Sequence, residues 1–340
     1  MSNRLDSKPQ IWTLAADLDL SVSGSPSRSI LDFATGRAKR IARKFRCTSL
    51  NELLAATAGE VETTFEEVHS HSDLQHVRSN YVNKGENAFA NLEEELRGPE
   101  DYAITIRRVQ REEWEPQFVS VIDFRGDKVF RSYFSKWHEL AHLLTLTPQM
   151  RLVFRRTHCG STARDPEEML MDAIAGEVGF LQDFLPVGNS TDVSFEGIRR
   201  IREECCPDAS EEAATIGIVK ALPIPCILLK AKLALRKHES VRALQMGLGI
   251  GEPMPTPVLR AINVTVNNAA RNEGVHFHKN WRVPSKSVIS RVYANGDYSE
   301  SAEDLSWWVT SDRSSLDPCP VLVKAKKSWD SVQALVVPQI

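Results

Sequence analysis

The 340-residue sequence has no apolar run long and clean enough to cross a membrane. Its most apolar stretch, residues 216–235, is broken by Lys220, Pro223, Pro225, Lys230 and Lys232. The start has no basic segment leading into an apolar core, so a secretory signal is not expected and a cytoplasmic setting is. The six cysteines (Cys47, Cys159, Cys205, Cys206, Cys226 and Cys319) follow no framework spacing. Disulfides are therefore not expected, and a reducing compartment fits. With 17 Gly and 17 Pro the chain is neither collagen-like nor of low complexity. Nor does it carry an excess of one charge: 42 basic against 45 acidic residues leave a net −3. That excludes a uniformly basic nucleic-acid coat but leaves room for a local basic patch. No internal repeat is visible. What remains is 42% hydrophobic and 26% charged, the composition of a globular protein. At about 150 residues per domain, the length suggests two domains or three small ones.

Along the chain, residues 29–96 read as helical, with Leu31, Ala34, Ala38, Ile41, Ala42 and Phe45 recurring at threes and fours. Strand-like runs follow at 102–109 and 118–124, and a Gly126-Asp127 turn suggests a third strand at 128–134. Ser135 then stands where a helix N-cap belongs, and Pro148 stops that helix. Asp165-Pro166 opens another helix, a capping residue followed by Pro at the first helical position, running to about Leu185. Residues 194–247 look helical with a break at Pro223-Ile224-Pro225, and Pro253, Pro255 and Pro257 mark a linker. Beyond it, strand-like runs appear at 261–266, 274–278, 287–293 and 332–337. The expected fold class is α+β, laid out as a domain over 1–190, a helical segment over 191–250 and a β-containing module over 251–340.

The chemistry is concentrated in His138-Glu139-Leu140-Ala141-His142, a His-Glu-x-x-His on a predicted helix. Four residues at 100° each bring the two imidazoles to one face, one turn apart. Both can then reach one zinc ion, while Glu139 can act as general base on a water. With 9 His in this composition, about 0.02 such motifs are expected by chance. A catalytic zinc needs a third protein ligand and an open position. Glu168 is the leading candidate, with Asp172 one turn later placed to fix the tautomer of a ligand imidazole. Three alternatives stay open: Glu168 could close a capping box with Asp165, Glu167 could be the ligand, or His158-Cys159 could supply it.

The stretch from Tyr133 to Leu144, Tyr-Phe-Ser-Lys-Trp-His-Glu-Leu-Ala-His-Leu-Leu, resembles the zinc helix of the ImmA/IrrE family of metallopeptidases. The stretch from Glu168 to Glu177 is similar to that family's second signature, which usually ends in Leu-Leu-Met-Pro where this chain has Phe184-Leu185-Pro186. The likeness is strong only over 133–186 and weaker over 30–245, where 194–239 resembles the family's helix-turn-helix-like segment. Two positions depart from the family pattern: Lys136-Trp137 replaces Leu-Ala, and Ala141 replaces Gly. Neither is a ligand or the base, so the shape of the substrate cleft is what they put in question. The resemblance implies a zincin-like peptidase domain with a small sheet. It implies a cytoplasmic zinc endopeptidase that cuts a partner, typically a helix-turn-helix repressor, in a stress or mobile-element switch. It assigns zinc to His138, His142 and Glu168 and the base to Glu139.

Other features have plainer readings. His276 and His278 share one face of a predicted strand, and His69 and His71 sit in a polar turn; both pairs read as exposed histidines. Cys205-Cys206 suits no common redox pair. Arg37, Lys39, Arg40, Arg43, Lys44 and Arg46 could meet DNA phosphates, but a solvated helix face is the favoured reading. The competing functional class is a zinc-containing regulator that binds a protein or DNA partner without cutting. A small-molecule hydrolase using the same metal is a third possibility. A purely structural zinc would need no base at Glu139.

Overall fold

The computed structural model describes all residues except 1–4, 23, 148–164, 189–190, 237–238, 240–254, 276, 311–314 and 340. The chain is mixed α and β, and its residues divide into two compact units, Met1–Leu185 with Arg202–Gly217, and Pro186–Ile201 with Ile218–Ile340. No helix among the described residues is long and apolar enough to cross a membrane.

The first unit opens with helices α1 (Pro9–Asp17), α2 (Pro26–Phe45) and α3 (Leu50–Glu60). Ser25 and Ser49 cap α2 and α3 by accepting the backbone N–H of Arg28 and Glu52. Strand β1 (Thr63–Val68) follows, then α4 (His71–Asn83) and the short α5 (Leu92–Glu95). Strands β2 (Ala103–Arg107) and β3 (Phe118–Asp123) complete a three-stranded sheet in the order β1-β3-β2. β1 pairs parallel with β3 from Thr63↔Phe118 to Val68↔Asp123, and β2 pairs antiparallel with it. Every residue of β3 is buried, as the central strand of a covered sheet requires. Helix α6 (Ser132–Leu144) lies against β2 and β3 and packs on α7 (Pro166–Val178).

Two sequence expectations fail here. Residues 63–68 read as part of a helical region because Glu66 and Glu67 spoil any alternation, yet the parallel register with buried β3 makes them a strand. The expected strand at 128–134 is a 3-10 turn, Gly126–Arg131, running straight into α6. Lys128 is the reason: its ammonium donates to Leu96 O, Asp101 O and the Asp123 carboxylate, drawing the chain back toward the end of β3. Helix α6 consequently starts at Ser132 rather than after Ser135.

The chain continues through α8 (Phe195–Cys205) and α9 (Glu211–Ala221), a helix pair where helices were expected. The second unit holds a five-stranded antiparallel sheet of order β5-β4-β8-β7-β6. Its strands are β4 (Ile227–Ala234), β5 (Val258–Val266), β6 (Tyr298–Asp304), β7 (Pro320–Ser328) and β8 (Ser331–Pro338). Two short helices, α10 (Asn268–Asn272) and α11 (Val288–Asn295), join them. The core includes Ile227, Leu229 and Ala231 of β4, Val332, Ala334 and Val336 of β8, and the rings of Phe277, Trp281 and Trp308.

The helical reading of 194–247 thus fails at β4. There Leu229, Lys230, Ala231 and Lys232 alternate buried and half-buried, the period of a strand. The strand reading of 287–293 fails in the opposite sense. Ser287 caps the segment through Ile289 N, Glu303 accepts Val288 N, and Val288, Ile289 and Val292 turn one helical face to the core. Residues 274–278 form no strand among their described positions, whereas 261–266 and 332–337 fall within β5 and β8.

Candidate metal centre

Helix α6 carries His138 and His142 one turn apart, with Trp137, Leu140, Leu143 and Leu144 buried around them. Helix α7 brings Glu168 opposite. Its start is set by Asp165, whose side chain accepts Glu167 N, with Pro166 at the first position. Glu168 is therefore not spent on a capping box, and its carboxylate faces the two histidines. His138 Nε2 stands 3.0 Å from Glu168 Oε2, His142 Nε2 stands 3.4 Å from Glu168 Oε1, and the two Nε2 atoms are 3.3 Å apart. Taking one donor atom from each residue, the three lie within 4.8 Å of one another, and the 3.3 Å between the two Nε2 atoms matches the separation of about 3.3–3.4 Å between ligands at about 2.0–2.1 Å around a tetrahedral ion. Among the described residues, these three form the group that could hold a metal ion; Glu167 is not part of it. Residues 158–159 lie outside the described residues.

Behind the cluster, His138 Nδ1 is 3.0 Å from Asp172 Oδ1. Nδ1–H donates to Asp172 and Nε2–H to Glu168, so the ring is held between two carboxylates with Nε2 toward the cluster, and a metal ion would take the place of the Nε2 proton. The electrostatics agree. Burial disfavours the His138 imidazolium, but hydrogen bonds to Asp172 and Glu168 outweigh it and lift its pKa to about 10. Burial likewise opposes the Glu168 carboxylate, and hydrogen bonds from His138 and His142 overcome it to hold the group well below the usual carboxylate range. A site that so strongly favours a proton between its donors is one where a cation has a ready place. Glu139, between the histidines in sequence, is only 2% exposed.

The surroundings that steady α6 carried no signal in the sequence. Arg37 of α2 donates from Nη1 to Leu144 O at 2.8 Å, closing the C-terminal end of α6. Thr145 Oγ1 donates to Ala141 O and His142 O. Tyr133 donates its hydroxyl proton to Gly179 O, tying the first turn of α6 to the end of α7. Ion pairing spends Lys39 on Asp183 and Lys44 on Glu60, so with Arg37 three of the six basic residues between Arg37 and Arg46 work within the fold.

The other singled-out residues do not assemble. His69 lies against the Phe124 ring, His71 begins α4 beside Glu93, and His278 packs edge-on to Trp281; residue 276 lies outside the described residues. Cys206 is buried, which pushes its thiol up to about 12 and makes it a poor nucleophile.

No protein-family model matches the chain, and no curated protein does. Among solved structures it is similar to a Mycobacterium tuberculosis transcriptional regulator, at 10% identity and a TM-score of 0.30, over 80% of this chain and 89% of that one. At that TM-score the likeness carries no argument about fold or function.

Proposed function

We propose that this chain is a zinc-dependent endopeptidase with a zincin-like catalytic domain. Zinc would be held by His138, His142 and Glu168. The observation behind this reading is the convergence of one donor atom from each of these residues within 4.8 Å of one another, with Glu139 buried on the same helix as the two histidines. When bound, the ion supplies Lewis acidity toward a peptide carbonyl and toward a water molecule. A set of three protein ligands is the kind that catalytic zinc sites use, and it would leave room for water or substrate. Glu139, about 100° round the helix from His138, takes the proton of the attacking water and returns it to the leaving amine. Asp172, accepting from Nδ1–H, would hold the His138 ring with Nε2 toward the ion. The resemblance to ImmA/IrrE peptidases suggests the partner to be cut, a helix-turn-helix repressor.

Glu139→Gln tests the proposal, because it keeps size and most hydrogen bonding while removing the base. The variant should retain zinc and fold and lose cleavage by roughly 10²-fold or more. A repressor encoded beside this protein is the first substrate to try, followed by mass spectrometry, with a proteome-wide search for new N-termini as the second. If parent and Gln variant release the same fragments, or neither releases any in both assays, the peptidase reading fails and a non-cleaving regulator takes its place.

A further inference from the structure

We propose that the cleft at the carboxyl ends of β1 and β3 binds a small multivalent anion carrying phosphate or carboxylate groups. The cleft has a volume of about 290 Å³ and is lined by His71, Glu93, Arg97, Asp123, Arg125 and Lys128. β1 and β3 run parallel and end level, Val68 opposite Asp123. His71 is the first residue of α4, whose N-terminus is already closed by a Ser70–Asp73 capping box, so the positive charge of the cleft is that of its side chains.

An account of the donors separates what is already spent from what is on offer. Asp123 is fully buried and takes Arg125 Nε and Nη2 at 2.8 Å each and Lys128 Nζ at 2.7 Å. The other two Lys128 protons go to Leu96 O and Asp101 O, so that ammonium has none left. Arg125 Nη2 also reaches Leu96 O, which leaves its Nη1 as the available corner. Glu93 is engaged by Gln75 at 2.9 Å and stands 3.9 Å from His71. The exposed Arg97 guanidinium makes no side-chain hydrogen bond or ion pair among the described residues. Three cationic side chains thus face two carboxylates, one of them consumed internally, and the excess is positive before His71 is protonated. Arg97 and the Arg125 Nη1 corner line the same cleft and are the donors an anion would take, and guanidinium forks favour a planar or tetrahedral oxyanion over chloride.

The test is calorimetric titration of the full chain with inorganic phosphate and, separately, with succinate, at ionic strength held constant with sodium chloride. Saturable binding of either, weakened at least tenfold in Arg97→Ala and partly restored in Arg97→Lys, supports the site, and the tighter arm identifies the headgroup. Arg97 lies outside the Asp123 cluster, so its removal leaves the fold in place; circular dichroism confirms this. Absence of saturable binding in both arms, or equal binding by the parent and Arg97→Ala, overturns the proposal and reduces the cleft to a structural ion-pair cluster.

Discussion

Asp172 and His138 meet across 34 residues of sequence, Oδ1 to Nδ1 at 3.0 Å, from one helical turn beyond Glu168. The contact fixes the His138 ring with Nε2 toward the other two donors. Asp172→Ala removes that orientation without removing a ligand. Such partners typically contribute about 10–100-fold to metal affinity or activity. The variant should therefore hold zinc about 10–100-fold more weakly by chelator competition, with an unchanged circular dichroism spectrum. Zinc affinity equal to the parent's would make Asp172 only a surface acid.

Metal content gives the direct check on the cluster. The parent should carry about one zinc per chain. His138→Ala and Glu168→Ala should each come through purification largely empty, while Glu167→Ala stays loaded. Full occupancy in both ligand variants, measured by plasma emission, would dismiss the site.

Gly179 is a packing constraint on the zinc helix. A Cβ there would stand 2.8 Å from Ala175 O and 2.8 Å from the Trp137 ring, with backbone on one side and a buried indole on the other. Neither can yield cheaply. Gly179→Ala should lower unfolding stability by about 1–3 kcal/mol, the usual cost of overpacking, measured by urea denaturation. An unshifted midpoint would show that α6 and α7 can separate without loss.

Asp123 sets an acid limit on the first unit. Its burial raises the carboxyl pKa, but hydrogen bonds from Arg125 and Lys128 outweigh that and hold it below the ordinary range. A lowered folded-state pKa means a contribution complete above the unfolded value of about 3.9 and lost as pH falls through the folded one. Asp123→Asn should lower stability near pH 7 by at most about 3–5 kcal/mol, because it strips the buried counter-charge from two half-buried cations. The gap between parent and variant should narrow only below about pH 4. A gap that changes between about pH 6 and pH 8 would assign the effect to another group.

The sequence by itself determined what local chemistry could encode. The His138–His142 pair follows from helical periodicity, because four residues on a helix return nearly to the same face. The start of α7 follows from Asp165-Pro166, a capping oxygen and a ring pre-set for the first turn. The strands at β2, β3, β5 and β8 announce themselves by β-branched and alternating residues. Tertiary structure decided the rest. Glu168, rather than Glu167, faces the histidines because the angle at which α7 packs on α6 chooses between neighbours 100° apart. Residues 63–68 became a strand within a stretch read as helical, and 288–295 became a helix against its β-branched composition. One was offered the open side of β3, and the other was capped by Ser287 and by Glu303 from a later strand. Lys128 turned an expected strand into the turn that leads into the zinc helix, through three acceptors from separate parts of the chain. Such outcomes are illegible locally, since the free energy that selects them lies in contacts between residues far apart in sequence.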